Sequence, residues 1–204
     1  MNKLDKAAIQ EYQRVLLNDV DIALLAAEQI EHYSKSSEED GLAKLWLSIH
    51  AFLVTTANIS KMLWPRRSGM DRATQLRASL SIGENDPMFS TLKSNDARNF
   101  FEHFDERLDT RVSQSKSRNI ADFNPWGKSL DLSSISDNVV LFRNFDVPNF
   151  AIIYGREIYP LKPVVKALWD LYERVRRAWF NNMGIPTPFT SNRKMPDYLS
   201  VERQ

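Results

Sequence analysis

Residues 94 to 112 read S-N-D-A-R-N-F-F-E-H-F-D-E-R-L-D-T-R-V. The apolar members Ala97, Phe100, Phe101, Phe104, Leu108 and Val112 recur at steps of three and four, the spacing of one buried helix face. Between them Arg98, Asn99, Glu102, His103, Asp105, Glu106, Arg107 and Asp109 set a histidine among carboxylates and guanidiniums. The chain has only 3 histidines, and one of them is here.

Outward from this stretch the chain first reads as helix. Ile9, Val15, Leu16, Val20, Ile22, Leu25, Ala26 and Ile30 predict a long helix from Leu4 to about Tyr33, ended by Ser34-Lys35-Ser36-Ser37. A second helix, from about Glu38 to Leu63, is apolar over most of its circumference and so belongs at the centre of a bundle; Pro65 stops it. Asp71 is the expected N-cap of a third helix through about Ile82, and a short fourth covers Met88 to Lys93. Past Arg111 the polar run S-Q-S-K-S-R-N breaks the pattern. Residues 138–145 and 150–154 are rich in β-branched and aromatic residues around the turn Asp146-Val147-Pro148-Asn149, and Gly155-Arg156-Glu157 turns into Ile158-Tyr159. Leu161 to about Phe180 is a final amphipathic helix with Pro163 in its first turn. The expected fold is therefore mainly α: a bundle of four to five helices with a small antiparallel β-meander before a C-terminal helix. The expected division is a helical bundle over 1–118, meander plus helix over 119–182, and an extended or disordered tail over 183–204.

Composition narrows the function classes. The 204 residues contain 43% hydrophobic residues, 5 Trp and 11 Phe, enough for a substantial core. With Cys 0, disulfide scaffolds, thiolate metal sites and cysteine nucleophiles are excluded, and a reducing, cytoplasmic setting is expected. The N-terminus lacks the apolar run of a secretory signal, and the most apolar window, Leu45 to Leu63, holds His50, Asn58 and Lys61, so no membrane association is expected. Net charge is +1, but residues 1–40 carry 4 basic and 9 acidic side chains, while 41–80 carry 6 basic and 1 acidic. Within the basic block Arg66, Arg67, Arg72 and Arg77 are the candidate contacts to a nucleic-acid backbone, as against an ordinary solvated charge run.

Arg98-Asn99-Phe100-Phe101-Glu102-His103 has the form R-N-x-x-x-H. An Arg four to six residues ahead of a His arises by chance about 0.7 times in such a chain; fixing Asn after the Arg and one spacing lowers this to about 0.02. The hexapeptide resembles the signature of the HEPN superfamily (higher eukaryotes and prokaryotes nucleotide-binding), helical proteins that include metal-independent ribonucleases of toxin–antitoxin and phage-defence systems. The resemblance implies RNA as substrate, a homodimer in which two motifs share one cleft, and an antitoxin or other partner protein. It implies His103 as acid/base, Arg98 as phosphate and transition-state contact, and Asn99 as the polar neighbour, with no cofactor and no metal. Some HEPN toxins carry a tyrosine shortly after the histidine that a partner modifies; Phe104 and Asp105 stand here instead.

Physical chemistry asks for the same parts. Cutting RNA without metal needs a base for the 2′-OH proton, an acid for the leaving oxygen and a cation for the phosphate, and histidine titrates near neutrality. On one helix Asn99 and His103 lie about 40° apart, but Arg98 and His103 about 140° apart, so one chain converges poorly on one phosphate. The residues also allow a catalytically inactive helical module that binds itself or a partner, with Arg98–Glu102 and His103–Arg107 as ordinary surface neighbours. A carboxylate–histidine metal site from Glu28, His32, His50, Glu102, His103 and Glu106 lacks the E-x-x-H spacing of di-iron bundles.

Overall fold

In the computed structural model, residues 4–66, 68–94, 106, 109–110, 113, 119–127, 131–135, 139–186 and 196 are described. Helix α1 runs over Lys6–Ser34. It starts where Asp5 Oδ1 accepts from the Ala8 amide at 2.7 Å, a side-chain cap three residues ahead. Nothing inside it breaks the pattern, and Leu16, Val20, Ala23, Leu24, Ala27 and Ile30 form its fully buried face. Helix α2 spans Gly41–Leu63 and buries Leu45, Trp46, Ile49, Phe52, Leu53, Ile59 and Leu63. The expectation of burial on most sides holds only in part, because Leu47 and Val54 remain exposed. α2 is long and apolar enough to cross a membrane, and 56% of its apolar window is buried within the protein.

Helix α3 covers Met70–Ser79 and helix α4 Pro87–Lys93. The expected N-cap at Asp71 is corrected. The cap is Gly69, left-handed at φ 87 and without a side-chain bond, so Asp71 falls inside the first turn, where its charge still suits the helix dipole. The left-handed backbone favours glycine, and a Cβ there would come within 3.1 Å of the Arg72 guanidinium. Helix α5 covers Lys162–Met183, with Pro163 in its first turn. Gly184, at φ 69, closes it as the Ile185 amide donates to Phe180 O at 3.1 Å. Most of the expected tail over 183–204 lies outside the described residues.

The strands are β1 (Asn119–Ala121), β2 (Asn124–Trp126), β3 (Val139–Leu141), β4 (Arg143–Asp146), β5 (Ala151–Tyr154) and β6 (Glu157–Pro160). β4, β5 and β6 form the expected antiparallel meander. The wholly antiparallel expectation is corrected by β2, which adds to β4 in parallel and makes a mixed four-stranded sheet in the order β2-β4-β5-β6. β1 and β3 pair in parallel as a second, two-stranded sheet. Both parallel pairs share one register, Asn119 against Val139 and Asn124 against Asn144. They are one ladder interrupted at Asp122-Phe123, where Phe123 turns left-handed at φ 56.

The interruption is stitched by side chains. Asp122 Oδ1 accepts from the Arg143 amide at 3.0 Å and from Arg143 Nε at 3.0 Å, and its second oxygen takes Arg143 Nη2. The Arg143 guanidinium also lies over the Phe123 ring, 3.6 Å from its centroid. A carboxylate thus replaces the ladder acceptor that the left-handed residue displaces, and its charge is met by a fork of the right geometry.

By chain contacts the protein divides into two units. One holds α1 to Ala26, α2 from Ala51, α3, α4 and α5 from Pro163; the other holds α1 from Ala27, α2 to His50 and the six strands. In the helical unit the fully buried Gln13 donates to Ser79 Oγ at 3.1 Å and accepts from Asn182 Nδ2 at 2.9 Å, so one amide ties α1 to α3 and α5. In the strand-containing unit Phe142, Phe145, Ile152 and Ile153 are buried, with Phe145 edge-on to Phe150 at 5.5 Å.

Candidate functional site

Arg98, Asn99 and His103, with Glu102 beside them, lie outside the described residues, as does Arg67. At the C-terminal end of the central stretch Glu106, Asp109, Thr110 and Ser113 are helical and exposed. Thr110 Oγ1 donates back to Glu106 O at 2.9 Å, one helical turn away. This is the polar face that the sequence spacing puts outward.

The basic block has a definite local role. Arg77 Nη1 donates to Leu63 O, and Arg72 Nη2 donates to Met62 O at 3.4 Å. Those are the last carbonyls of α2, which have no intrahelical partner and sit at the negative end of the helix dipole. Arg77 reaches Thr74 Oγ1 at 3.3 Å as well, and the Arg72 guanidinium lies 5.3 Å from the Tyr12 ring centroid. Both side chains are half-buried, whereas Arg66 is exposed just past Pro65. Of the three described arginines in the block, Arg66 is the one that is exposed.

The other two histidines sit apart from the central stretch in sequence. His50 Nδ1 lies 2.7 Å from Trp46 O; a carbonyl can only accept, so this nitrogen carries the hydrogen. His32 faces Glu38, with Nε2 at 3.8 Å from Oε1, and meets the Tyr33 ring edge-on at 4.8 Å. It lines an open depression of about 620 Å³ with Glu28, Glu31, Lys35 and Glu38. Among the described residues no group of three or more His, Asp or Glu could hold a metal ion.

Sequence reasoning missed a second polar centre. Arg174 on α5 donates through Nη1 to Asp86 Oδ2 at 2.6 Å and Ser81 O at 2.9 Å, and through Nη2 to Asp170 at 2.9 Å. Burial works against its charge, but Asp170 and Asp86 outweigh this and hold the guanidinium above its ordinary pKa. Ser81 is left-handed at φ 54 where α3 ends, and Arg174 fixes that end from outside. Beside it Ser79, Ser81, Arg174, Arg177 and Asn181 line a cleft of about 360 Å³. The Asp170 partner was legible as an i,i+4 pair. Asp86, 88 residues away, gave no local signal.

No family model, no curated protein and no solved structure matches this chain.

Proposed function

We propose that this protein is a metal-independent endoribonuclease of the HEPN kind. The observation that carries the reading is the spacing Arg98-Asn99-x-x-x-His103 in a stretch of helical periodicity. A mainly helical chain is a compatible scaffold, and the solvent exposure of Glu106 and Asp109 agrees with an outward polar face on that stretch.

In this reading His103 takes the 2′-OH proton as that oxygen attacks phosphorus. The bond to the 5′-oxygen breaks, and that oxygen receives a proton, leaving a cyclic 2′,3′-phosphate and a 5′-hydroxyl. Arg98 meets the charge that builds on the phosphate, and Asn99 orients the imidazole or donates to a phosphate oxygen. Because Arg98 and His103 diverge on one helix, the second imidazole and guanidinium come from a second copy. RNA reaches the cleft from a cytoplasmic pool, the exposed Arg66 is available to its backbone, and a partner protein restrains the activity.

The test is cleavage of single-stranded RNA in EDTA. His103→Ala should lose roughly 10²–10⁴-fold in rate with an unchanged circular-dichroism spectrum. Equal cleavage by both proteins ends the reading and leaves a helical binding module.

A further inference from the structure

Helix α2 turns one stripe outward. Leu47 is 71% exposed and Val54 52%, with Ala43, His50, Asn58 and Lys61 exposed in the same series. Outward helix positions are where charged residues usually collect. From Ala43 to Asn58, over four turns, this stripe carries none, counting histidine as neutral. Leaving a Leu or Val side chain in water forgoes the gain that burial would bring.

We infer that the stripe is a dimer seam, packed antiparallel against α2 of a second copy of this chain about a two-fold axis between His50 and Ala51. Asp40, Leu47, Val54 and Lys61 stand seven residues apart, the period of a two-helix seam. Their order is complementary on reversal about that midpoint. Reversal sets Leu47 opposite Val54 of the second copy, Ala43 opposite Asn58, and Asp40 opposite Lys61. Apolar pairs meet near the centre, and opposite charges close both ends. The two-fold makes each contact twice. Ala51 beside the axis is small enough for helices to approach at about 8–10 Å. Asp40 bonds Lys44 through Oδ1 at 2.9 Å, and a carboxylate can accept from a second cation too. A lipid surface is the competing occupant for an apolar helix face; the narrow width and the charges of opposite sign at the two ends favour a second copy. The inference rests on the nuclease reading only in that both call for a dimer.

The chain has no cysteine, so each introduced thiol is unique. Ala51→Cys should cross-link to itself under mild oxidation. Leu47→Cys should not, because position 47 and its own counterpart lie about 10 Å apart along the axis. Mixing Leu47→Cys with Val54→Cys protein should give the disulfide-linked dimer. Leu47→Glu with Val54→Glu, both at exposed positions, should halve the mass seen by light scattering with the helical spectrum unchanged. Asp40→Lys and Lys61→Asp should each weaken the dimer, and together restore it. A monomeric wild type, self-linking of Leu47→Cys as efficient as the mixed pair, or flotation of a monomer with phosphatidylcholine vesicles would overturn the seam. Glu variants that stay dimeric sink the seam and leave the nuclease reading intact. Monomeric variants that still cut RNA keep the seam and sink the two-copy chemistry.

Discussion

The helical unit and the strand-containing unit use arginine in opposite ways. In the first, Arg72 and Arg77 reach back 10 and 14 residues to the last carbonyls of α2, finishing a helix that its own sequence already specifies. In the second, Arg143 meets Asp122 across 21 residues and completes a ladder whose register neither strand specifies alone. Where the element is local, the guanidinium trims an end. Where the element is a pairing of distant segments, it belongs to the pairing itself.

The largest effect that would break this contrast is at Arg143. Its side chain and that of Asp122 are only 16% and 25% exposed, so Arg143→Ala leaves a carboxylate without its counter-charge. A loss of about 3 kcal/mol in urea unfolding is expected. Loss of the Phe123, Phe142 and Val147 amides from hydrogen-exchange protection before the helices open would place the damage in the ladder. A loss near 1 kcal/mol would mean that the two kinds of arginine differ in partner only.

Arg77→Ala should cost about 1 kcal/mol, the scale of a capped helix terminus, with faster exchange confined to the last turn of α2. A cost as large as that at Arg143 would erase the contrast from the other side.

The smallest expected effect concerns Asp19, whose carboxyl burial pushes above its ordinary pKa. For an acid with a raised folded-state value, the stabilising contribution is present below the unfolded pKa and lost as pH rises through the folded one. Asp19→Asn should therefore raise the unfolding midpoint at neutral pH, and the difference should shrink toward about pH 3–4. A gain that is the same at both pH values would show that charge at Asp19 is not the cause.

Much of the helical part was legible because its information is local. The edges of α1, α2 and α5 fall within a few residues of where periodicity, Pro65 and Pro163 set them. β1 and β2 were not legible, since three residues show no alternation and their partners lie 20 positions downstream. The stretch over 138–145 reads as one strand but breaks at Phe142 between two sheets, because the partner ladder is itself interrupted at Asp122-Phe123. The candidate site divides likewise. The spacing from Arg98 to His103 is a property of sequence. The assignment of Arg72 and Arg77 to the end of α2 is not, since a charge run gives no sign of which carbonyls it will meet.

The sequence by itself determined the helices, the absence of thiol chemistry and the single motif on which a ribonuclease reading can rest. Each depends only on residue identity and on neighbours three or four positions away. Tertiary structure alone decided the parallel register of the strands, the Arg174–Asp86 bond and the outward stripe of α2. These depend on which distant surfaces exclude water together, and no local period encodes that choice.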